Sequence, residues 1–290
     1  MGVVMTINEQ YPLREQISFL LRKNNIRPKK SFGQNFLIDD EALKRILVAA
    51  NLSKTDTVVE IGPGLGVMTE HLARDAKNVI AVEVDEKLAT LLKERTRDTP
   101  NLNVIRGDIL QMSPSVFVPE NAYVVVANLP YSIASGVLRH FLEADKKPQR
   151  MIVMVQKQVA ENICASVGHL GILGISIQVY SDPKLLFVLK PDSFYPSPKV
   201  ESAIIELTIF DEPKIAPNLI DAFFTTVRAG FRTPRKQIKN SLALGLEVPT
   251  AKTGEWLLDA HLDPQQRPQN LTIEEWGHLT KIINQSANLE

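Results

Sequence analysis

The sequence predicts an α/β protein: a mostly parallel sheet covered on both faces by helices, followed by a small all-helical domain. Three observations lead there. Apolar, β-branched runs alternate with helical patterns through the first half of the chain, a glycine-rich turn follows the first such run, and beyond residue 210 only helical periodicity continues.

Residues 11–30 read as a basic helical segment. Strands are expected at 57–61, 79–84, 102–106, 123–127 and 151–155, with helices between them. Their near-continuous apolar character implies burial on both faces of the sheet. After Gln156 the rhythm changes to a helical stretch at 157–165, then 168–180, then late strands at 185–189 and 202–210 joined by a proline-rich loop. That pair suits an antiparallel hairpin at the sheet edge. Asp211-Glu212-Pro213-Lys214 reads as a linker, dividing the chain into 1–212 and a helical domain, 213–290. Helices are expected there at 218–230, 235–244, 253–259 and 272–284, the last opened by Thr272 with Glu275 three residues on, the spacing of a capping box.

Composition narrows the function classes. With 290 residues and 44% hydrophobic content the chain can bury a real core. Basic and acidic residues balance at 33 each, so a nucleic-acid partner must be met by local patches. Cys164 is the single cysteine and permits no internal disulfide, while His71, His140, His169, His261 and His278 show no metal-ligand spacing. The apolar stretches fall short of a membrane span, and the start lacks a basic region followed by an apolar one. Met1-Gly2-Val3-Val4-Met5-Thr6 matches the short myristoylation pattern, as chance allows. A reducing, cytoplasmic setting is expected.

Glu60-Ile61-Gly62-Pro63-Gly64-Leu65-Gly66 follows the first strand and opens a helical pattern, so its glycines let the backbone turn tightly against a ligand. A dinucleotide fingerprint wants a glycine where Val67 stands; the spacing fits S-adenosylmethionine enzymes better than a nicotinamide dehydrogenase. Glu83 closes the second strand, where a carboxylate can take both ribose hydroxyls, and Asp108 follows the third, placed for an adenine amino group. Asn128-Leu129-Pro130-Tyr131 stands directly after the fourth strand. It supplies an amide acceptor, a stiff turn and a stacking face, although alone it also reads as a strand-ending turn.

Taken in order, Ser31-Phe32-Gly33-Gln34-Asn35-Phe36-Leu37, Glu60 to Gly66, Glu83-Val84-Asp85, Gly107-Asp108, Asn128-Leu129-Pro130-Tyr131, Gln156-Lys157-Gln158-Val159-Ala160 and Phe194-Tyr195-Pro196-Ser197-Pro198-Lys199-Val200 form a highly specific set. The chain resembles the ribosomal RNA adenine N6,N6-dimethyltransferases of the KsgA type over most of its length. The resemblance implies a class I, Rossmann-like S-adenosylmethionine-dependent methyltransferase that needs no metal. It places Asn35, Leu37, Gly62, Glu83, Asp108 and Asn128 around the cofactor, and Asn128, Leu129, Pro130, Tyr131 and Phe194 at the target base. Tyr131 and Phe194 would then sandwich a flipped base, with a core-filling loop aromatic as the other reading of Phe194, and a helix cap as the other reading of Asn35. The segment Ala165-Ser166-Val167-Gly168-His169-Leu170-Gly171 is shorter than the family's usual loop near the substrate.

Two basic clusters, Arg22, Lys23, Arg27, Lys29 and Lys30, and Arg228, Arg232, Arg235, Lys236 and Lys239, are candidates to grip phosphates, unless they are merely solvated faces. The implied reaction is dimethylation of two adjacent adenosines near the 3′ end of small-subunit rRNA within a pre-30S particle, by a monomer and away from membranes. A single-site large-subunit adenine methyltransferase is the nearest alternative. A ribosome-assembly factor acting mainly by binding is another.

Overall fold

The computed structural model describes residues 11–119 and 122–287; the pattern at residues 1–6 lies outside them. Nine strands occur among the described residues: β1 (Phe36–Leu37), β2 (Thr57–Ile61), β3 (Asn78–Glu83), β4 (Leu102–Arg106), β5 (Val124–Asn128), β6 (Arg150–Gln156), β7 (Ser181–Leu189), β8 (Phe194–Tyr195) and β9 (Ser202–Ile209). Seven form one sheet in the order β4-β3-β2-β5-β6-β9-β7. The five from β4 to β6 run parallel, and β9 joins β6 antiparallel. The late strand β7 neighbours β9 at the edge, so the expected pair closes the sheet there.

The central strands are buried along their length, with Val58, Val59, Val125, Val126, Val153 and Val155 at 1% exposure or less. This is what near-continuous apolar runs require. Strand order reverses between β2 and β5, so the turns leaving these two neighbours diverge and open a crevice at the carboxyl edge.

Contacts divide the chain into two compact units, Met1–Ala160 with Lys184–Ile209, and Glu161–Pro183 with Phe210–Glu290. The later boundary lies between Ile209 and Phe210, just before Asp211-Glu212-Pro213-Lys214. Segment 161–183, which lies within 1–212 in chain order, clusters with the helical unit. Reciprocal hydrogen bonds account for this: Gly168 N donates to Gln269 O at 2.8 Å, and Gln269 Nε2 to Gly168 O at 2.7 Å.

In the first unit, helices α1 (Leu13–Lys23), α2 (Asp40–Ala50), α3 (Val67–Asp75), α4 (Glu86–Arg95), α5 (Pro114–Phe117) and α6 (Ala134–Leu142) surround the sheet; α7 (Lys157–Ile163) follows β6. The basic segment is helical only over 13–23. Beyond it, residues 24–37 run as an irregular strap whose end is stitched down by a ribbon the sequence did not announce. β1 pairs antiparallel with β8, Phe36 against Tyr195 and Leu37 against Phe194. Ile38 N donates to Ser193 O at 2.9 Å, and Ser193 Oγ to Asp39 Oδ2 at 2.8 Å.

The second unit contains α8 (Ile172–Gln178), α9 (Ile220–Gly230), α10 (Ile238–Leu246), α11 (Thr250–Asp259) and α12 (Ile273–Ala287). Its core gathers Phe223, Val227, Leu242, Leu257, Trp276 and Leu279, with Phe231 stacked on Trp276 at 5.8 Å between ring centroids. The capping box is present at α12, where Glu275 N donates to Thr272 Oγ1 at 3.0 Å and Thr272 N to Glu275 Oε2 at 2.8 Å. Among the described residues no helix is long and apolar enough to cross a membrane.

Candidate active site

The crevice at the strand-order reversal is a cavity of about 290 Å³. Its wall brings together Asn35, Leu37, Gly62, Glu83, Asp108, Asn128, Leu129, Pro130 and Tyr131 from five separate stretches of chain. Because β2 to β5 run parallel, the polar groups that end them must share one edge of the sheet.

The glycine turn after β2 is tight by necessity. Gly64 has φ of +59°, and a Cβ there would lie 3.1 Å from the Phe36 ring. A side chain is thus excluded twice, once by the left-handed backbone and once by the strap. Gly64 N also donates to Glu83 Oε2 at 3.0 Å, while Asp85 N donates to Glu83 Oε1 at 2.9 Å. Each carboxylate oxygen keeps acceptor capacity for a ligand's hydroxyl groups. Burial raises the Glu83 carboxyl above its usual range, against the pull of these N–H donors.

Asp108 is exposed, and its Oδ1 accepts Leu110 N at 3.0 Å. Exposed Val84 and buried Ile109 add apolar wall beside Glu83 and Asp108. With acceptors for a diol and an amine flanking two apolar surfaces, this end of the cavity fits an adenosyl group. Neither Val84 nor Ile109 was picked from sequence, although both adjoin acidic residues that were.

Asn128 ends β5. Its Nδ2 donates to the Asn35 main-chain carbonyl at 3.1 Å, and Oδ1 accepts no hydrogen bond among those described. Asn35 is fixed in turn by Nδ2 donating to Gly33 O at 3.2 Å; the helix cap that follows is Asp39, which accepts Ala42 N at 3.0 Å. Leu129 N donates to Met154 O at 3.2 Å, and Pro130 O accepts Ile133 N at 3.1 Å. The Leu129 carbonyl is left without a donor among the described bonds. Tyr131 is half-buried, its hydroxyl 2.7 Å from Ser202 Oγ.

Asp85 anchors the strap. It caps α4 through Lys87 N at 3.0 Å, and its Oδ2 takes Gln34 Nε2 at 3.1 Å and Lys29 Nζ at 2.8 Å. Burial alone would raise its carboxyl, but these donors outweigh burial and hold it below the usual range.

Glu60, beneath the glycine turn, is 1% exposed and its Oε2 has no partner. Burial pushes this carboxyl up to about 8; the Thr69 hydroxyl, outside hydrogen-bonding geometry, pulls it back in part, and the Glu83 charge adds to the rise. The glycine motif drew attention in the sequence; the acid within it did not.

One expected site residue stands elsewhere. Phe194 is 3% exposed, belongs to the core beneath β1 and does not line the cavity, whereas its ribbon partner Leu37 does. Of the basic residues, Arg22, Lys23, Arg27, Lys29 and Lys30 are exposed around the strap; in the second unit Arg228, Arg232, Arg235 and Lys236 are exposed and Lys239 is half-buried. Among the described residues no group of three or more His, Cys, Asp or Glu is placed to hold a metal ion.

Fold and cavity together define an S-adenosylmethionine-dependent methyltransferase with a Rossmann-like sheet. The model of the family described as ribosomal RNA adenine dimethylase matches residues 25–285, and the chain belongs to that family. It is 44% identical over 276 residues to ribosomal RNA small subunit methyltransferase A of Dehalococcoides mccartyi, covering 94% of each chain. Among solved structures it resembles the 23S rRNA methyltransferase ErmE (TM-score 0.69, 27% identity, 86% of this chain and 100% of that one). A dimethyladenosine transferase from Plasmodium falciparum shares the fold (TM-score 0.76, 24% identity, 87% and 98%).

Proposed function

We propose that the protein transfers methyl groups from S-adenosylmethionine to N6 of two adjacent adenosines near the 3′ end of 16S rRNA, giving N6,N6-dimethyladenosine during small-subunit biogenesis. The observation that carries this reading is the near full-length identity to a small-subunit methyltransferase, together with a cavity holding the whole acceptor turn. The substrate is taken to be rRNA in a pre-30S particle, met in the cytoplasm by a monomer.

When bound, S-adenosylmethionine supplies an electrophilic methyl group on a sulfonium, which calls for no metal. Glu83 takes the ribose hydroxyls, Asp108 the adenine amine, and Gly62, Asn35 and Leu37 shape the rest of the pocket. At the acceptor, an adenine N6 is a poor nucleophile because its lone pair is delocalised into the ring. Two acceptors aimed at its N–H bonds favour the pyramidal nitrogen that attacks. Asn128 Oδ1 is one, kept available because Nδ2 is committed to Asn35. The Leu129 carbonyl is the other, since that of Pro130 already serves the turn. Holding nitrogen against methyl supplies most of the remaining rate, and water can take the proton shed by the alkylated nitrogen.

Tyr131 offers the base a stacking face. Phe194, one strand behind the wall, acts by holding β1 and thereby Asn35 and Leu37. The two basic clusters contact phosphates, each within its own unit.

The test is incubation with labelled S-adenosylmethionine and unmethylated small subunits, then nucleoside analysis and mapping. Label in two adjacent small-subunit adenosines is expected. Label confined to large-subunit RNA overturns the assignment, and binding to small subunits with no methyl transfer points to an assembly factor.

A further inference from the structure

We infer that His140 is a positioning residue for the cofactor's adenine: it ties α6 to the turn that carries Asp108, and so sets where Asp108 meets the 6-amino group. This rests on the reading of Asp108 as the adenine acceptor and not on the identity of the RNA.

Asp108 stands on thin support. It follows β4 and opens a single 3-10 turn, Ile109–Gln111, in which Asp108 Oδ1 accepts Leu110 N at 3.0 Å and Asp108 O accepts Gln111 N at 3.0 Å. One turn of this kind has poor hydrogen-bond geometry and little stability of its own. Asp108 is also exposed, so burial does not hold it. Its place must be fixed from outside.

Helix α6 does this. It begins just past the acceptor turn and is anchored by Val137, Leu138, Phe141 and Leu142, each fully buried. His140, on the same helix, has Nε2 2.9 Å from Met112 O. A main-chain carbonyl only accepts, so the imidazole carries a proton on Nε2 and donates it. The Phe141 ring meets the imidazole edge-on at 88°, 5.5 Å between centroids, a contact that steadies it.

Met112, the residue so held, closes the 3-10 turn. Its N–H donates to Ile109 O at 3.3 Å, and its sulfur lies over Gly107, where a Cβ would come within 2.6 Å of it. Leu110 rests on Gly136 of α6, a Cβ there lying 3.9 Å from both Leu110 methyls. Residues 107–112 therefore meet α6 through one packed contact and one hydrogen bond, and only the bond fixes direction. The same helix leaves the Asn128–Tyr131 turn, where Ile133 N donates to Pro130 O at 3.1 Å. One rod thus sets both the adenine end and the acceptor end of the cavity.

The experiment measures, by calorimetry, affinity for S-adenosylhomocysteine and for its analogue whose purine lacks the 6-amino group. Wild type, His140→Phe, His140→Leu, His140→Gln and Asp108→Ala are compared. Phe keeps a ring without the donor, Leu removes both, and Gln keeps an N–H within reach of the Met112 carbonyl. The ratio of the two affinities reads only protein able to bind, so a partly unfolded variant still reports. Wild type is expected to prefer the amine by roughly 10–100-fold, the worth of a hydrogen bond to a charged group. In the Phe and Leu variants that preference is expected to fall by about fivefold or more, with Gln within about twofold of wild type. At saturating S-adenosylmethionine, kcat on small subunits should change little in all three, because the acceptor turn is untouched. Phe and Leu variants that keep the wild-type preference overturn the inference even if both ligands bind more weakly, and so does a Gln variant as indiscriminate as Phe. A wild type with no preference, or an Asp108→Ala variant that retains one, removes the adenine reading of Asp108, and His140's role with it. The rRNA reading is tested apart from these, by where methyl groups arrive.

Discussion

The side-chain amide of Asn128 donates to the main-chain carbonyl of Asn35 at 3.1 Å, joining the end of β5 to the strap 93 residues earlier. An amide bound through nitrogen must present oxygen on its other side. That orientation is what an amine acceptor requires, so the bond fixes the polarity of the acceptor site.

Asn128→Ala is expected to lower kcat by about a hundredfold or more, the scale seen when one preorganised polar contact to a reacting centre is removed. Asn128→Asp is the sharper test. A carboxylate has no N–H for the Asn35 carbonyl, and the two oxygens repel, so Asp is expected to be nearly as poor as Ala. Single-turnover methylation of small subunits measures both. An Asp variant near wild-type rate would show that the tether does not orient the site.

Tyr131 contributes a ring to the cavity and a hydroxyl to Ser202 at 2.7 Å. Ser202 is fully buried at the start of β9, opposite Gln156 of β6, so this bond sets the ring against the antiparallel part of the sheet. Tyr131→Phe keeps the π face and is expected to lose about 1 kcal/mol, the net worth of an ordinary hydrogen bond. Tyr131→Ala also loses the stacked base, about 1–3 kcal/mol more. Ser202→Ala should match Tyr131→Phe, and the double variant Ser202→Ala/Tyr131→Phe should add little to either. Additive losses in kcat/KM would show that the two act separately.

What could be read from the sequence was local. The β2, β3 and β4 runs, the glycine turn and the Asn128–Tyr131 turn each carry their signal within a few neighbouring residues, and parallel topology then gathers them at one edge. The capping box of α12 was legible for the same reason. The β1–β8 ribbon was not: two residues on each side have no periodicity, and their pairing spans more than 150 positions. The burial of Phe194 was hidden for the same reason, because it depends on Phe36 and Leu37 and not on its own proline-rich frame. Segment 161–183 was assigned by order along the chain, whereas its partner, the Gln269 turn, lies about a hundred residues on.

Phe194 can be tested directly for a role in packing. Removing a fully buried phenylalanine is expected to cost about 3–5 kcal/mol of stability in Phe194→Ala. Phe194→Leu, close in volume and still apolar, should cost less than about 1.5 kcal/mol. With the fold kept, the Leu variant is expected to retain the wild-type KM for small subunits, because the ring lies behind the cavity wall. Urea unfolding and steady-state kinetics on one preparation decide it. A large rise in KM at unchanged stability would return the ring to the base site.

Glu60 should make stability fall as pH rises. Its carboxyl moves from an ordinary 4.5 to about 8 on folding, chiefly through burial. Between those values the native state holds a proton that the unfolded chain has released. By linkage, stability therefore declines with pH across that window. The contribution is whole below about 4.5 and lost as pH climbs through about 8. Glu60→Gln keeps the shape and stays neutral, so it should match wild type at the acid end. In urea titrations without cofactor at pH 8.5 it should be more stable by on the order of a few kcal/mol. Parallel stability curves for the two proteins from pH 5.5 to 8.5 would show that Glu60 is already ionised in the folded state, despite its unpartnered oxygen.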